Sequence, residues 1–324
     1  MMHLRVISPV DTTDAALTRL RAAGVTNLVV HRGAAVEPQG DVIIADVTRD
    51  AASGVVDLLR DLGLNEHGSI ALDEVALEIS HATEKAEASA PAASDAVIWQ
   101  QVEQRTGDEA RLSATYVTFM IVATLIASFG VLLDQPILIV GAMVVGPEFG
   151  PLAALCVGIV RGRWRLAARS GVALVTGFVI GMLATVLTTL LFDALGLIDR
   201  SMLLADRPLT DFIWRPDALS WVIAALAGVA GLLSLTAAKS GALIGVVISV
   251  TTVPAAANAS VAVAYGIPEE ALGSLAQLGI NLAAIVVGGV TTLLVQRLTR
   301  RGGAARLSRR VSAEARRAGS RPTP

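Results

Sequence analysis

Two hydrophobic patterns divide this chain. Over residues 3–73, short apolar runs alternate with helical stretches. Residues 3–8, 25–31 and 41–47 read as strands, the last two rich in β-branched residues, and residues 69–72 as a weaker fourth strand. Between them, Asp11 or Thr12 can cap a helix with apolar positions at Ala16, Leu17 and Leu20. Asp50 can cap a second with Val55, Val56, Leu58, Leu59 and Leu62. The order β-α-β-β-α-β is the split βαβ pattern and predicts a small α+β ferredoxin-like domain over residues 1–79. Past residue 111 the pattern changes. Long apolar runs cover 112–133, 136–160, 166–192, 219–238, 240–265 and 271–296. Runs of about 20 residues match a hydrocarbon core about 30 Å thick. The expected fold is therefore a mostly α polytopic membrane protein of about six helices over 111–297, preceded by the soluble domain.

Residues 80–110 connect the two. The first half is rich in Ala, Ser and Glu and reads as a linker. The second half gathers Val97, Ile98, Trp99 and Val102 near one helical face. This suits an amphipathic helix on the membrane surface or on the soluble domain, and equally an ordinary connector helix.

Charge sets the orientation. Residues up to Arg111 hold 18 acids against 9 bases, whereas the segment 298–324, with Arg297, holds 9 arginines and the single acid Glu314. Arg161, Arg163, Arg165 and Arg169 fill the connection between spans 2 and 3. The positive-inside rule places that connection and both termini in the cytoplasm of a bacterial inner-membrane protein, and six spans make the two ends agree. The basic tail is expected to be disordered and to lie on anionic lipid, at about 1 kcal/mol per Arg near the surface. Base-stacking aromatics do not accompany the arginines, so nucleic acid is not an expected partner. No basic n-region opens the chain, and no cleavable signal peptide is expected. Cys156 stands alone in an apolar run, so no intramolecular disulfide forms.

The chemistry lies in the interrupted spans. Span 2 contains Gly146-Pro147-Glu148 followed by Phe149-Gly150-Pro151. Two Gly-Pro pairs four residues apart are incompatible with an uninterrupted α-helix. Glu148 lies twelve residues past Pro136, about 18 Å along a helix and so near mid-membrane. It is the only ionisable residue well inside a predicted span. Span 5 carries Thr251, Thr252, Pro254 and Asn258, with Thr252 twelve residues past Ser240, and Asn281 falls about ten residues into span 6. Each interruption is in the middle span of a three-helix half, as in a 3+3 inverted repeat, where such paired breaks point to a transporter's central site. An ion- or solute-binding site at Gly146, Pro147, Glu148, Gly150, Pro151, Thr251, Thr252, Pro254, Asn258 and Asn281 is the functional expectation. The alternatives are that Glu148 only caps the half-helix after it, and that Asn258 and Asn281 only join helices by hydrogen bonds. Gly177-xxx-Gly181 and Gly241-xxx-Gly245 are small-residue faces for close packing within or between subunits, a route to a homo-oligomer. The segment 206–217, with Phe212 and Trp214, reads as a gate or as an interfacial anchor. His3, His31, His67 and His81 lack metal spacing, and no nucleophile–base, GxSxG, HExxH, GxGxxG or P-loop pattern occurs. No enzyme, metal or cofactor is expected.

The run 141–151, then Gly158-Ile-Val-Arg-Gly-Arg-Trp164, then Lys239-Ser-Gly-Ala-Leu-Ile-Gly245 with Val253-Pro254 and the Asn281 helix, resembles a bacterial and archaeal membrane family. It is known as domain of unknown function three-eight-nine, the uncharacterised hydrophobic domain proteins. The resemblance covers about 112–296. It implies an integral membrane domain with a variable soluble extension, and no established activity. The leading expectation is a transporter or channel-like permease for an ion or small solute. The alternative is a membrane-anchored sensor or scaffold acting through the soluble domain.

Overall fold

A computed structural model describes residues 1–75, 80–81, 98–215, 217–236 and 252–319. The chain forms two compact units, residues 1–100 with 296–324, and residues 101–295.

The first unit is α+β. Strand β1 (Met2–Ser8) is followed by α1 (Val10–Ala22), β2 (Thr26–Val36), β3 (Gln39–Val47), α2 (Arg49–Arg60), the single turn α3 (Leu64–His67) and β4 (Ser69–Glu74). The sheet order is β2-β3-β1-β4, antiparallel throughout. Alternation along β1 buries Met2, Leu4 and Val6 on one face. Against them pack Ala16, Leu17 and Leu20 of α1 and Ala52, Val55 and Leu59 of α2, on the faces predicted from their helical spacing. The β2–β3 ladder is irregular between His31 and Ala35. There Gly33 turns into the left-handed region at φ +62°, and its N–H donates to the Asp41 carboxylate at 2.7 Å. Arg32 donates to the other oxygen at 2.9 Å. A side chain thus replaces the missing ladder partner. The Gly33 N–H, ahead of the hydroxyl of Thr13 and the guanidinium of Arg32, holds the Asp41 carboxyl below its ordinary value.

The second unit is helical. Its helices are α4 (Trp99–Glu109, from residue 101 on), α5 (Ala114–Leu132), α6 (Pro136–Val145), α7 (Phe149–Arg161), α8 (Trp164–Ala194), the short α9 (Arg200–Leu204), α10 (Ala218–Thr236), α11 (Val253–Ala264) and α12 (Pro268–Gly319). A 3-10 turn at Asp211–Ile213 precedes α10. Among the described residues, four helices are long and apolar enough to cross a membrane: Ala114–Leu132, Trp164–Ala194, Ala218–Thr236 and Pro268–Leu298. They match four predicted spans within a few residues. The pair α6 and α7, bent by 56°, makes a fifth if counted as one. The predicted fifth span is described only from Thr252, and α11 within it is short and apolar.

The second span breaks where the first Gly-Pro pair predicts, with Gly146 extended at ψ 126°. The second pair does not break it. Gly150 and Pro151 fall in the first turn of α7, where a missing N–H removes no intrahelical bond. The tail also differs from expectation. Instead of ending near residue 297, α12 runs on to Gly319. Ala and Arg, which dominate that stretch, are among the strongest helix formers.

Helix direction follows from close contacts. Tyr116 packs on Gly177, Met120 and Thr124 on Gly181, and the Phe129 ring lies 5.8 Å from that of Phe192. Helices α5 and α8 are therefore parallel, and the bent pair joining them crosses the bundle once. The Gly177–Gly181 face is thus filled within the chain; Gly241 and Gly245 lie outside the described residues. Helices α10 and α12 are parallel by the same argument. The Trp214 carbonyl meets Gly273 near their starts, and Ala225 and Gly228 meet Gly288 and Ile285 further along. Asp134, in the α5–α6 turn, accepts from Thr210 at 2.9 Å, so α10 and α12 start at the end where α5 finishes. They run opposite to α5 and α8. Helix α11 is buried from Val253 to Ala262, mostly through alanine, which lets its neighbours approach closely.

The α10–α12 contact leaves no room for side chains. A Cβ at Gly228 would run into the Ile285 carbonyl, and one at Gly288 into that of Ala225, whereas one at Gly279 on α12 meets nothing within 4 Å. Gly228→Ala and Gly288→Ala are expected to lower the melting temperature of the detergent-solubilised protein by roughly 5 °C or more. Gly279→Ala should leave it unchanged or raise it, since Ala is favoured over Gly within a helix by up to about 1 kcal/mol. Equal melting temperatures for all three variants would contradict this packing.

Candidate functional site

The break between α6 and α7 meets the start of α11. Glu148 is the N-cap residue of α7 and is only 1% exposed. Its carboxylate folds back into the space that the absent Gly146 side chain leaves open. There the buried Thr252 hydroxyl donates to Glu148 Oε1 at 3.2 Å. Thr252 is the N-cap residue of α11, and Pro254 lies in that helix's first turn. Two prolines thus set two helix starts, and the N-cap residues of both meet at one carboxylate. Helix N-termini carry partial positive charge, so both favour negative charge at this point. Gly150 adds a third element: its missing Cβ admits Glu109, from the last turn of α4, to the first turn of α7.

Of the expected residues, Gly146, Pro147, Glu148, Gly150 and Pro151 form the break, and Thr252 and Pro254 join it. Thr251 lies outside the described residues. Asn258 belongs to a different cluster, six residues and about 9 Å further along α11. Its amide donates to Glu270 Oε1 at 3.0 Å and to Ser274 Oγ at 2.8 Å. Arg207 donates to Asn258 Oδ1 at 3.2 Å and to Glu270 Oε1 at 2.5 Å. Asn281 is buried on α12 on the face that also carries Glu270, Ser274 and Gln277, at intervals of four, three and four residues.

Glu148 is the only ionisable residue well inside a predicted span, but it is not the only buried ionisable residue of the helical unit. Arg207 and Glu270, assigned from sequence to exposed connections, are 7% and 6% exposed and form an ion pair. Nothing local marks Arg207, which stands between Asp206 and Pro208 in a charged segment. Glu270 did carry a signal. It opens the polar stripe of α12, which would be costly on a face turned to lipid or to an apolar core. Breaking such a buried pair from one side costs about 3–5 kcal/mol, because it strands the other charge.

Arg207 and Glu270 also line a cavity of about 520 Å³, with Asp206, Asp211, Arg215 and Glu269 around it. Asp211 holds Trp214 Nε1 at 2.7 Å and Arg215 at 3.1 Å, and the Arg215 guanidinium lies over the Trp214 ring. The segment expected to be a gate or an anchor is therefore cross-linked and forms the cavity wall.

At the far end of α7, Glu103 of α4 binds Arg161 at 2.8 Å and Arg163 at 2.9 Å. Two of the four arginines used to orient the chain are thus paired with one buried acid, on a helix expected from sequence to be a surface or connector helix. Val102, Thr106 and Ala110 are buried beside it. Among the described residues, no group of three or more His, Cys, Asp or Glu is placed to hold a metal ion.

Residues 143–287, from the last turn of α6 into α12, match the family model described as Domain of unknown function (DUF389). An uncharacterized protein of Methanocaldococcus jannaschii is 25% identical over 245 residues, which cover 72% of this chain and 71% of that protein. No solved structure matches. The break, the start of α11 and the Asn258 cluster all fall inside the matched residues. The chain therefore carries the domain of unknown function three-eight-nine and is a distant homologue of an uncharacterized archaeal protein.

Proposed function

We propose that the helical unit is a permease for a small ion or polar solute, with its site where the α6–α7 break meets the start of α11. The observation that carries this reading is the Thr252–Glu148 hydrogen bond, which joins two proline-containing helix starts 104 residues apart. Non-helical backbone at membrane depth is tolerated only inside protein or beside a wet cavity. Here it comes with a titratable group between two helix N-termini. Glu148 would take up and release a proton or hold a cation as the solute passes.

The helix directions support six crossings in two inverted halves. In the first, parallel α5 and α8 flank the bent pair. In the second, parallel α10 and α12 run the opposite way, and α11 is the described part of the return between them. Glu148 before α7 and Thr252 before α11 then occupy equivalent places. In this reading the Arg161–Arg169 connection and both termini are cytoplasmic, and the cavity beside Arg207 faces outward. The first unit has the strand order and pairing of a ferredoxin-like domain. A sensor or scaffold role for it is favoured by one observation: Val29 and Val36 on β2 are large apolar side chains left exposed.

Purified protein in proteoliposomes tests the permease. Proton, sodium, potassium and chloride fluxes would be followed with ion-sensitive dyes. Glu148→Gln removes the charge. Gly146→Ala places a methyl where the carboxylate lies, and the flexible Glu148 side chain can yield without unfolding the bundle. Both variants are expected to keep their melting temperature within a few degrees and to cut flux at least tenfold. Wild-type flux in both, or no flux in the unmodified protein for any of these ions, would count against the reading.

A further inference from the structure

We propose that Glu270, Asn258 and Ser274 form a second site, for a monovalent cation, next to the 520 Å³ cavity that Glu270 and Arg207 line, and that Arg207 is its tethered occupant. This goes beyond the Glu148 site and stands whether or not a solute crosses the membrane.

The oxygens come first. Glu270 Oε1 and Asn258 Oδ1 both accept from Arg207, and Ser274 Oγ lies 2.8 Å from the Asn258 amide. A positive charge already sits among these atoms, buried and joined to the chain by an irregular segment. That occupant is imperfectly matched. Arg207 Nε is buried and has no hydrogen-bond partner among the described residues. A guanidinium so placed leaves one donor unmet, whereas a small cation would need only the oxygens.

The approach to the site is negative. Around the cavity stand Asp206, Asp211, Glu269 and Glu270 against Arg207 and Arg215, four acids to two bases and a formal charge of −2. Arg215 is paired with Asp211 and Arg207 with Glu270, so Asp206 and Glu269 supply the excess. A cleft of one sign raises the local concentration of the opposite ion.

The polar stripe of α12 carries a further acceptor. Gln277 lies on the same face of α12, three residues and about 4.5 Å beyond Ser274. It is 3% exposed, and its Oε1 has no hydrogen-bond partner among the described residues. A buried, unmatched carbonyl oxygen next along the stripe is a place for a cation or its water. The donor set of one carboxylate, one amide oxygen and one hydroxyl suits a monovalent ion. Divalent ions demand more charge, and among the described residues no three acids are placed closely enough to hold a metal ion together. When Arg207 swings into the cavity, its place among the oxygens falls to the entering cation.

Thiol accessibility tests this without relying on flux. The full chain in lipid nanodiscs carries Cys156→Ala, which removes its one native thiol, and Gln277→Cys. Cationic and anionic methanethiosulfonates are then compared. With Arg207 present, modification should be slow with both. Arg207→Gln should speed the cationic reagent at least tenfold and the anionic one much less. Sodium or potassium chloride in place of choline chloride should slow it again. Adding Glu270→Gln should abolish the slowing by sodium or potassium chloride, while Asp206 and Glu269 keep a weaker preference for the cationic reagent. Arg207→Lys, which keeps the charge, should retain slow modification. Unchanged rates in Arg207→Gln, or equal acceleration of both reagents, would overturn the proposal. If Arg207→Gln shows no melting transition, Glu270→Gln alone carries the test. It should speed both reagents alike, and continued protection there would be equally fatal.

Discussion

Backbone that is not helical has to be sheltered when it lies within an apolar bundle, and that requirement organises the helical unit. Between Val145 and Phe149 the hydrogen-bond ladder stops, leaving carbonyls of α6 and amides of α7 without intrahelical partners. Each such group costs several kcal/mol if it faces hydrocarbon. The bundle answers by surrounding the break. Helix α11, buried along ten successive residues, brings Thr252 to it, and α4 lays its last turn against Gly150. Small residues make this possible. The alanines of α11 and the glycines at 177, 181, 228 and 288 let helices pack with little between them, which draws the enclosing wall tight.

The same logic explains the buried ion pair. Asn258 sits two turns beyond the break on α11, and a buried amide needs partners at both ends. It finds acceptors in Glu270 and Ser274 and a donor in Arg207. Glu270 in turn is tolerable only because Arg207 covers it. An arginine suits this role because its planar fork can bond two oxygens at once. Arg207 and Glu270 also line the cavity with Asp206, Asp211, Arg215 and Glu269, so the buried pair and the charges around the cavity belong to one structure.

Much of this was legible in the sequence, and the misses have a common cause. The β-α-β-β-α-β order, the four long apolar helices and the break at Gly146 follow from periodicity, run length and proline chemistry, all of them local properties. Thr252 and Glu148 were placed at similar depth by counting, and they meet. Arg207, Glu270 and Glu103 escaped because local sequence does not distinguish a charge that is solvated from one buried by a partner far along the chain. Glu103 and Arg161 are 58 residues apart, Arg207 and Glu270 63. The second Gly-Pro pair was over-read for the opposite reason. Its local signal is strong, but a helix had just begun, and a helix start has no use for the bonds that proline removes.

One helix connects the two polar clusters. Thr252 caps the start of α11 and Asn258 lies within it, so the contact to Glu148 and the contacts to Arg207 and Glu270 are carried by one helix and its N-cap residue. Helices shift as units, and packed interfaces tend to have discrete arrangements rather than continuous ones. A displacement of α11 of one or two ångströms, about the size seen for helix shifts at interfaces, would lengthen the 3.2 Å bond at either end beyond hydrogen-bonding range. Releasing Arg207 removes one of the restraints on Asn258, and hence on where α11 rests. Changing the charge on Glu148 alters the restraint at the other end. If ions occupy both places, their affinities are linked through α11, and by thermodynamic reciprocity each must affect the other by the same factor.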